Sequence, residues 1–148
     1  MEVILYQPDI PQNTGNIART CAACEASLKL VPPLGFALTS RHMKRAGLDY
    51  WNEVHWGCID DLESYLNTIN KPFYLFSSHA KKEYTEISYT EDAVLIFGSE
   101  TKGLPRRLME KWEEWCVTIP MKAGVRCLNL SNSVAIALYE AKRQNKNV

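Results

Sequence analysis

The run Ala93-Val94-Leu95-Ile96-Phe97-Gly98-Ser99-Glu100-Thr101-Lys102-Gly103-Leu104-Pro105 constrains this 148-residue chain more than any other. Five apolar residues in succession give a strand buried on both faces. It stops at Gly98, opens into a polar loop with a second glycine, and meets a proline suited to the first turn of a helix. Strand, glycine turn and helix is how α/β proteins set backbone groups against a small ligand at the carboxyl end of a strand. The spacing Gly98-x4-Gly103 imitates a phosphate-binding P-loop, but Leu104-Pro105 stands where that loop requires Lys and Ser or Thr. No lysine is present for a γ-phosphate and no hydroxyl for magnesium, so the ligand is of another kind.

Alternating strand and helix patterns surround this segment. Strands are expected at Glu2–Gln7, Leu28–Val31, Phe73–Phe76, Ala93–Phe97 and Cys116–Ile119. Helices are expected at Asn13–Ala26, capped by Asn13 or Thr14, and at Asp60–Ile69, with Asp60 and Glu63 as a capping box. Further helices are expected at Ser40–Ala46, Pro105–Trp112 and Leu128–Arg143. Apolar strands without alternation, separated by helices, indicate a parallel sheet covered on both faces, here one domain over residues 1–148 with no linker or repeat. The last helix places Ser131, Val134, Ala135 and Leu138 on one stripe and Ile136, Ala137 and Tyr139 opposite. Burial on both sides is therefore expected, the second side against another copy of the chain. Trp51, Trp56, Trp112 and Trp115 fit such an interface or a core.

Seventeen basic and seventeen acidic residues cancel, which excludes a protein that coats nucleic acid through bulk charge. Local basic groups remain: Arg41, Lys44 and Arg45; Lys81 and Lys82; Lys102, Arg106 and Arg107; Lys122 and Arg126. The chain opens directly into a strand and contains no run near the roughly 20 apolar residues of a bilayer crossing, so a cytoplasmic protein without membrane contact is expected. Five cysteines with no export signal read as thiols. Cys21-x2-Cys24 falls inside a helix and no second pair completes a zinc site, so no metal is expected. A redox role for that pair is the alternative outside RNA chemistry.

Three segments carry the chemistry: Asn13-Thr14-Gly15-Asn16-Ile17-Ala18-Arg19, Ile96 to Pro105, and Ile119-Pro120-Met121 with Leu128-Asn129-Leu130-Ser131-Asn132. In this order, over nearly the whole chain, they resemble the motifs of the SPOUT class, the α/β-knot RNA methyltransferases. The absence of any added domain most resembles those that methylate the ribose 2′-oxygen of the tRNA wobble nucleotide, position 34. The resemblance implies a deep trefoil knot in the C-terminal part and a homodimer. It also implies S-adenosylmethionine as methyl donor, with S-adenosylhomocysteine as product, and tRNA as partner. Leucine tRNA with cytidine or a modified uridine is the expected substrate.

Carried over by position, the cofactor contacts implied are Phe76, Gly98, Glu100, Ile119, Met121, Cys127 and Leu128. Cys127 stands where related enzymes often have serine. A backbone contact would survive that change and a hydroxyl contact would not. The catalytic residues implied are Arg19, Asn13 and Ser131. Because guanidinium stays protonated, Arg19 is expected as an electrostatic clamp rather than a base. RNA contacts are expected from Arg41, Lys44, Arg45, Arg106 and Tyr139, with Lys81, Lys82 and Arg107 adding charge. The alternatives within reach are a ribosomal RNA 2′-O-methyltransferase and a non-catalytic RNA-binding knot protein.

Overall fold

Every strand of the computed structural model is parallel to its neighbours. The description covers residues 1–38 and 51–145; the helix expected at Ser40–Ala46, with Arg41, Lys44 and Arg45, lies outside it. The strands are β1 (Glu2–Tyr6), β2 (Ser27–Val31), β3 (Trp56–Cys58), β4 (Phe73–Phe76), β5 (Lys82–Glu83), β6 (Val94–Phe97) and β7 (Cys116–Thr118). They form one seven-stranded sheet in the order β3-β2-β1-β6-β4-β7-β5. The short strands β3 and β5 are additions to the five expected; at three and two residues they carry too little pattern to be read.

Parallel strands need crossovers; among the described residues α1 (Pro11–Ala23), α2 (Leu62–Thr68) and α3 (Arg106–Lys111) lie in them, and α4 (Leu130–Gln144) follows the last strand. They divide between the two faces. Val3 and Leu5 of β1 and Leu95 and Phe97 of β6 pack with Ile17 of α1 and Val134 and Leu138 of α4. Ile4 and Ile96, one residue out of step, pack on the other face with Leu62 and Leu66 of α2 and Leu108 of α3. The 2-residue period of a strand therefore explains why Val3–Leu5 of β1 and all of β6 are apolar at every position. Each such side chain fully buried contributes about 1.5–3 kcal/mol, so both layers are needed to hold the sheet.

Several helix ends differ from expectation. Ile10, in extended conformation, occupies the N-cap of α1, and Pro11 holds its first position, where its missing N–H is no loss. Asn13 and Thr14 therefore lie inside the first turn and are buried. In α2 the cap is Asp61, whose Oδ1 accepts from Ser64 N at 2.6 Å; this hydrogen bond holds the Asp61 carboxyl below its ordinary range. Glu63 is thereby released from a capping box and pairs with Arg107 and Lys111 of α3, the latter at 2.8 Å. In α4 the buried stripe is Leu130, Val134, Ala137, Leu138 and Ala141, so Ala137 joins the core side instead of facing away from it. Ile136 and Tyr139 remain exposed, at 36% and 46%. Trp51 is buried against Trp56, and Trp112 and Trp115 gather around Phe73.

Helix α1 ends in a Schellman turn. Ala26 N donates to Cys21 O at 2.9 Å and Glu25 N to Ala22 O at 3.2 Å, with Glu25 at φ +54°. That left-handed position favours glycine, and Glu25 is exposed. Glu25→Gly is expected to stabilise the fold by about 0.5–1 kcal/mol, relief of left-handed strain outweighing added chain entropy. A higher urea midpoint with unchanged slope checks it.

Candidate active site

Sheet order reverses between β1 and β6: from β1 the chain builds outward through β2 to β3, while β6, β4, β7 and β5 lie on the other side. In open α/β sheets ligands bind outside the carboxyl ends of the strands at such a switch point. A cavity of about 1280 Å³ lies there. Its walls come from the segments that follow four strands: Ile10 and Asn13 after β1, Ser77–Lys82 after β4, Gly98–Pro105 after β6, and Ile119–Asn129 after β7. Small-ligand sites usually enclose roughly 300–1,000 Å³, so this one has room for a second reactant.

Gly98 is dictated by contact. A Cβ there would sit 2.0 Å from Gly103 C and 2.2 Å from Leu104 N, because the loop folds back on itself. Gly103 N donates to Ser99 O at 2.9 Å, Lys102 N to Ser99 Oγ at 3.2 Å, and Gly103 takes φ +67° to close the turn. Backbone thus forms this wall of the cavity. Phe76 and Phe97, at the ends of β4 and β6 and stacked with centroids 4.5 Å apart, also line it.

One hydrogen-bonded chain joins all three motif segments. Glu100 Oε2 accepts from Asp9 N at 2.7 Å, and Oε1 accepts from Ile10 N at 3.2 Å and Asn13 Nδ2 at 2.9 Å. Asn13 Oδ1 accepts from Asn129 Nδ2 at 3.0 Å. Asn129 Oδ1 in turn caps α4, accepting from Ser131 N at 2.9 Å, Ser131 Oγ at 2.6 Å and Asn132 N at 3.4 Å. Asp9 adds a brace, accepting from Thr101 Oγ1 at 2.6 Å.

The structure gathers Phe76, Gly98, Glu100, Ile119, Met121, Cys127 and Leu128 around the cavity, with Asn13 and Arg106. Glu100 lines it with both oxygens already engaged by the Asp9–Asn13 turn. Arg19, exposed on α1, Ser131 and Tyr139 are not lining residues. Tyr139 instead lies beside Cys24, whose thiol pushes the phenol above its ordinary range. Sequence reasoning named Lys81 and Lys82 but missed Ile10 and the rest of their loop, residues 77–80; the signal for the loop was its place directly after an apolar strand.

The basic groups separate into two kinds. Arg106 pairs with Glu110 at 2.6 Å, Lys81 with Glu113 at 3.7 Å, and Arg107 with Glu63. Lys82, Lys102 and Arg126 line the cavity and enter no ion pair among the described residues. Burial pushes the Cys21 thiol up to about 12, leaving little thiolate, and Cys24 is buried as well. No cluster of three metal-ligating side chains occurs among the described residues, and no helix there is long and apolar enough to cross a membrane.

This architecture and site are those of a methyltransferase family: residues 1–139 match the SpoU rRNA Methylase family, and the chain belongs to it. A Methylovorus glucosotrophus protein named tRNA (cytidine(34)-2'-O)-methyltransferase is 40% identical over 146 residues, covering 97% of this chain and 95% of that one. A solved structure described as giving insight into 2-OH methylation of C/U34 on tRNA superposes with a TM-score of 0.91 at 40% identity, covering 99% of this chain and 97% of that one. An AdoMet-bound rRNA methyltransferase from Sinorhizobium meliloti superposes at 0.80 with 26% identity, covering 96% of this chain and 55% of that longer one.

Gly98→Ala is expected to cost about 3 kcal/mol or more, since the neighbouring backbone cannot yield to a Cβ at 2.0 Å. Urea denaturation measures it, and a loss below about 1 kcal/mol would show that the loop opens freely.

Proposed function

We propose that this chain is a cytoplasmic, homodimeric S-adenosylmethionine-dependent tRNA methyltransferase. It acts on the ribose 2′-oxygen of the wobble nucleotide, position 34, as cytidine or modified uridine, of leucine tRNA. The observation that carries the reading is the single cavity built from all three motif segments at the switch point. The names of the full-length relatives supply the substrate. The trefoil knot expected from the resemblance belongs to the same reading.

The residues present fit the donor. Phe76, Gly98, Ile119, Met121, Cys127 and Leu128 offer backbone and apolar surface. When bound, S-adenosylmethionine supplies a methyl group on a positively charged sulfur. The chain's own task is then orientation, which suffices for an in-line displacement needing no covalent intermediate. Asn13 orients the ribose, Ser131 acts through Asn129, to which its Oγ donates, and Arg19 clamps the reacting oxygen or the neighbouring phosphate. Arg19 lies outside the cavity of its own chain, so a second copy bringing it to the ribose is part of the proposal. The exposed Ile136 and Tyr139 of α4 offer that copy an apolar surface.

Calorimetry with S-adenosylmethionine and methyl transfer to purified tRNA test the reading. Binding together with a 2′-O-methyl group at position 34 is expected. No cofactor binding sinks the enzyme, and transfer to ribosomal RNA alone replaces the substrate. Arg19→Ala is expected to bind cofactor as before and to lose transfer by about a hundredfold or more; unchanged turnover would remove Arg19 from the mechanism.

Charge distribution makes a second expectation. Lys82, Lys102 and Arg126 are the cavity's unpaired cations among the described residues, whereas Arg106 and Lys81 are held by carboxylates. Replacing all three by alanine is expected to flatten the log–log salt dependence of tRNA binding by about two units, at roughly 0.7 per phosphate of a single strand. The Arg106→Ala slope is expected to stay near that of the unaltered protein. Filter binding at several salt concentrations measures both.

A further inference from the structure

We propose that Glu100 is a positioning residue that fixes the hydrogen-bond direction of Asn13 and Asn129, so that both amides turn N–H donors toward the ribose 2′-oxygen. This rests on the function proposed above.

The argument is one of valence. An amide side chain has two N–H donors and one carbonyl oxygen, and it is reversible unless its neighbours choose for it. Here both ends of the chain choose. At one end Glu100 receives three N–H donors on two oxygens and has only acceptors to offer. Asn13 must therefore give it Nδ2, leaving Oδ1 for Asn129. At the other end the first backbone N–H groups of α4 need an acceptor, so Asn129 must give Oδ1 to Ser131 and Asn132. Its Nδ2 is then left for Asn13. The two demands agree, and the amide between them at 3.0 Å closes the chain in one sense only.

The remainder is what matters chemically. The Asn129 carbonyl is fully used by three donors, and the Asn13 carbonyl accepts from Asn129. Each Nδ2 keeps a second hydrogen outside these bonds. Asn13 and Asn129 both line the cavity, and Asn13 is only 6% exposed. The pair can accept little and can donate twice, which suits an oxygen bearing negative charge. In the proposed transfer the 2′-oxygen uses a lone pair to form the O–C bond. The C–S bond breaks with its electrons on sulfur, which becomes a neutral thioether, and the hydroxyl proton passes to water. Donors fixed on that oxygen lower the cost of losing its proton. Fixing them before the substrate arrives leaves no reorganisation for the reaction to bear.

Asn129→Asp separates this role from a structural one. Aspartate keeps the acceptor that caps α4, replaces the donor toward Asn13 and the cavity by a second acceptor, and adds a negative charge that the N-terminus of α4 favours. Melting temperature and S-adenosylmethionine affinity are expected to stay close to those of the unaltered protein, while kcat falls about a hundredfold with KM for tRNA little changed. Glu100→Ala, which frees Asn13 to reverse but also unties the turn after β1, is expected to lose kcat in the same way with a lowered melting temperature. Both deficits are expected to narrow once pH passes the point where the unaltered enzyme's rate levels off, because free ionisation of the hydroxyl then replaces the donors. A purely structural loss would be the same at every pH.

A further measurement needs no variant: the side-chain amide protons of Asn13 and Asn129 are expected to shift in NMR spectra when an anticodon stem-loop is added, and not with S-adenosylmethionine alone. Shifts with the cofactor alone would assign the donors to its carboxylate and overturn the proposal. So would an Asn129→Asp enzyme within about threefold of full kcat. Failure of the unaltered protein to bind cofactor or methylate tRNA would instead remove the underlying function.

Discussion

The pairing of β1 with β6 is the constraint on which the rest of the molecule depends. Glu2, Val3, Ile4 and Leu5 align with Val94, Leu95, Ile96 and Phe97, strands separated by most of the chain. Because both run parallel and in register, the turns that leave them emerge side by side. Only then can Glu100, two residues past Gly98, reach Asp9, Ile10 and Asn13 across some ninety positions of sequence. Closing so long a loop costs entropy, and the buried apolar layers on both faces of β1 and β6 offset it. The polar chain at the site adds little net stability by comparison; its contribution is direction.

The sheet was legible because its central strands have no polar face. Val3-Ile4-Leu5 and Val94-Leu95-Ile96-Phe97 are apolar at every position, a pattern only double-sided burial produces. Helix boundaries were less legible, and for a specific reason. Asn13 and Thr14 are favourable capping residues, yet Pro11 sits two places earlier and its ring sets φ for a helix start. Proline prevailed, and the asparagine became available for Glu100. In α4 the helical angle between Ala137 and Val134 is close enough for one stripe, so Ala137 belongs with the core side and not with Ile136 and Tyr139.

Charge could not be read from sequence in the same way. Arg106, Arg107 and Lys111 form one basic turn, but Glu110 and Glu63 hold all three. Glu63 lies in a different helix, and nothing local signals that it faces α3. Lys82, Lys102 and Arg126 look no different in sequence and end on the cavity without a carboxylate. A surface ion pair stabilises by only about 0–1 kcal/mol, so the distinction hardly touches folding. It matters for a polyanion, whose phosphates must displace whatever already neutralises a cation.

A site that must favour an ionising hydroxyl has two ways to do so: carry a base with a suitably shifted pKa, or hold fixed dipoles against the forming charge. Among the described residues, no histidine lies in the amide chain, and His79 lines the cavity from the segment after β4. What the site does carry is a row of amides whose sense is imposed by a carboxylate at one end and a helix N-terminus at the other. Both ends are also structural, one tying the turn after β1 and the other capping α4. The orientation of the dipoles is therefore set by the same contacts that tie the turn and cap the helix. That coupling ties the three motif segments to one cavity: each supplies a group whose direction depends on the other two.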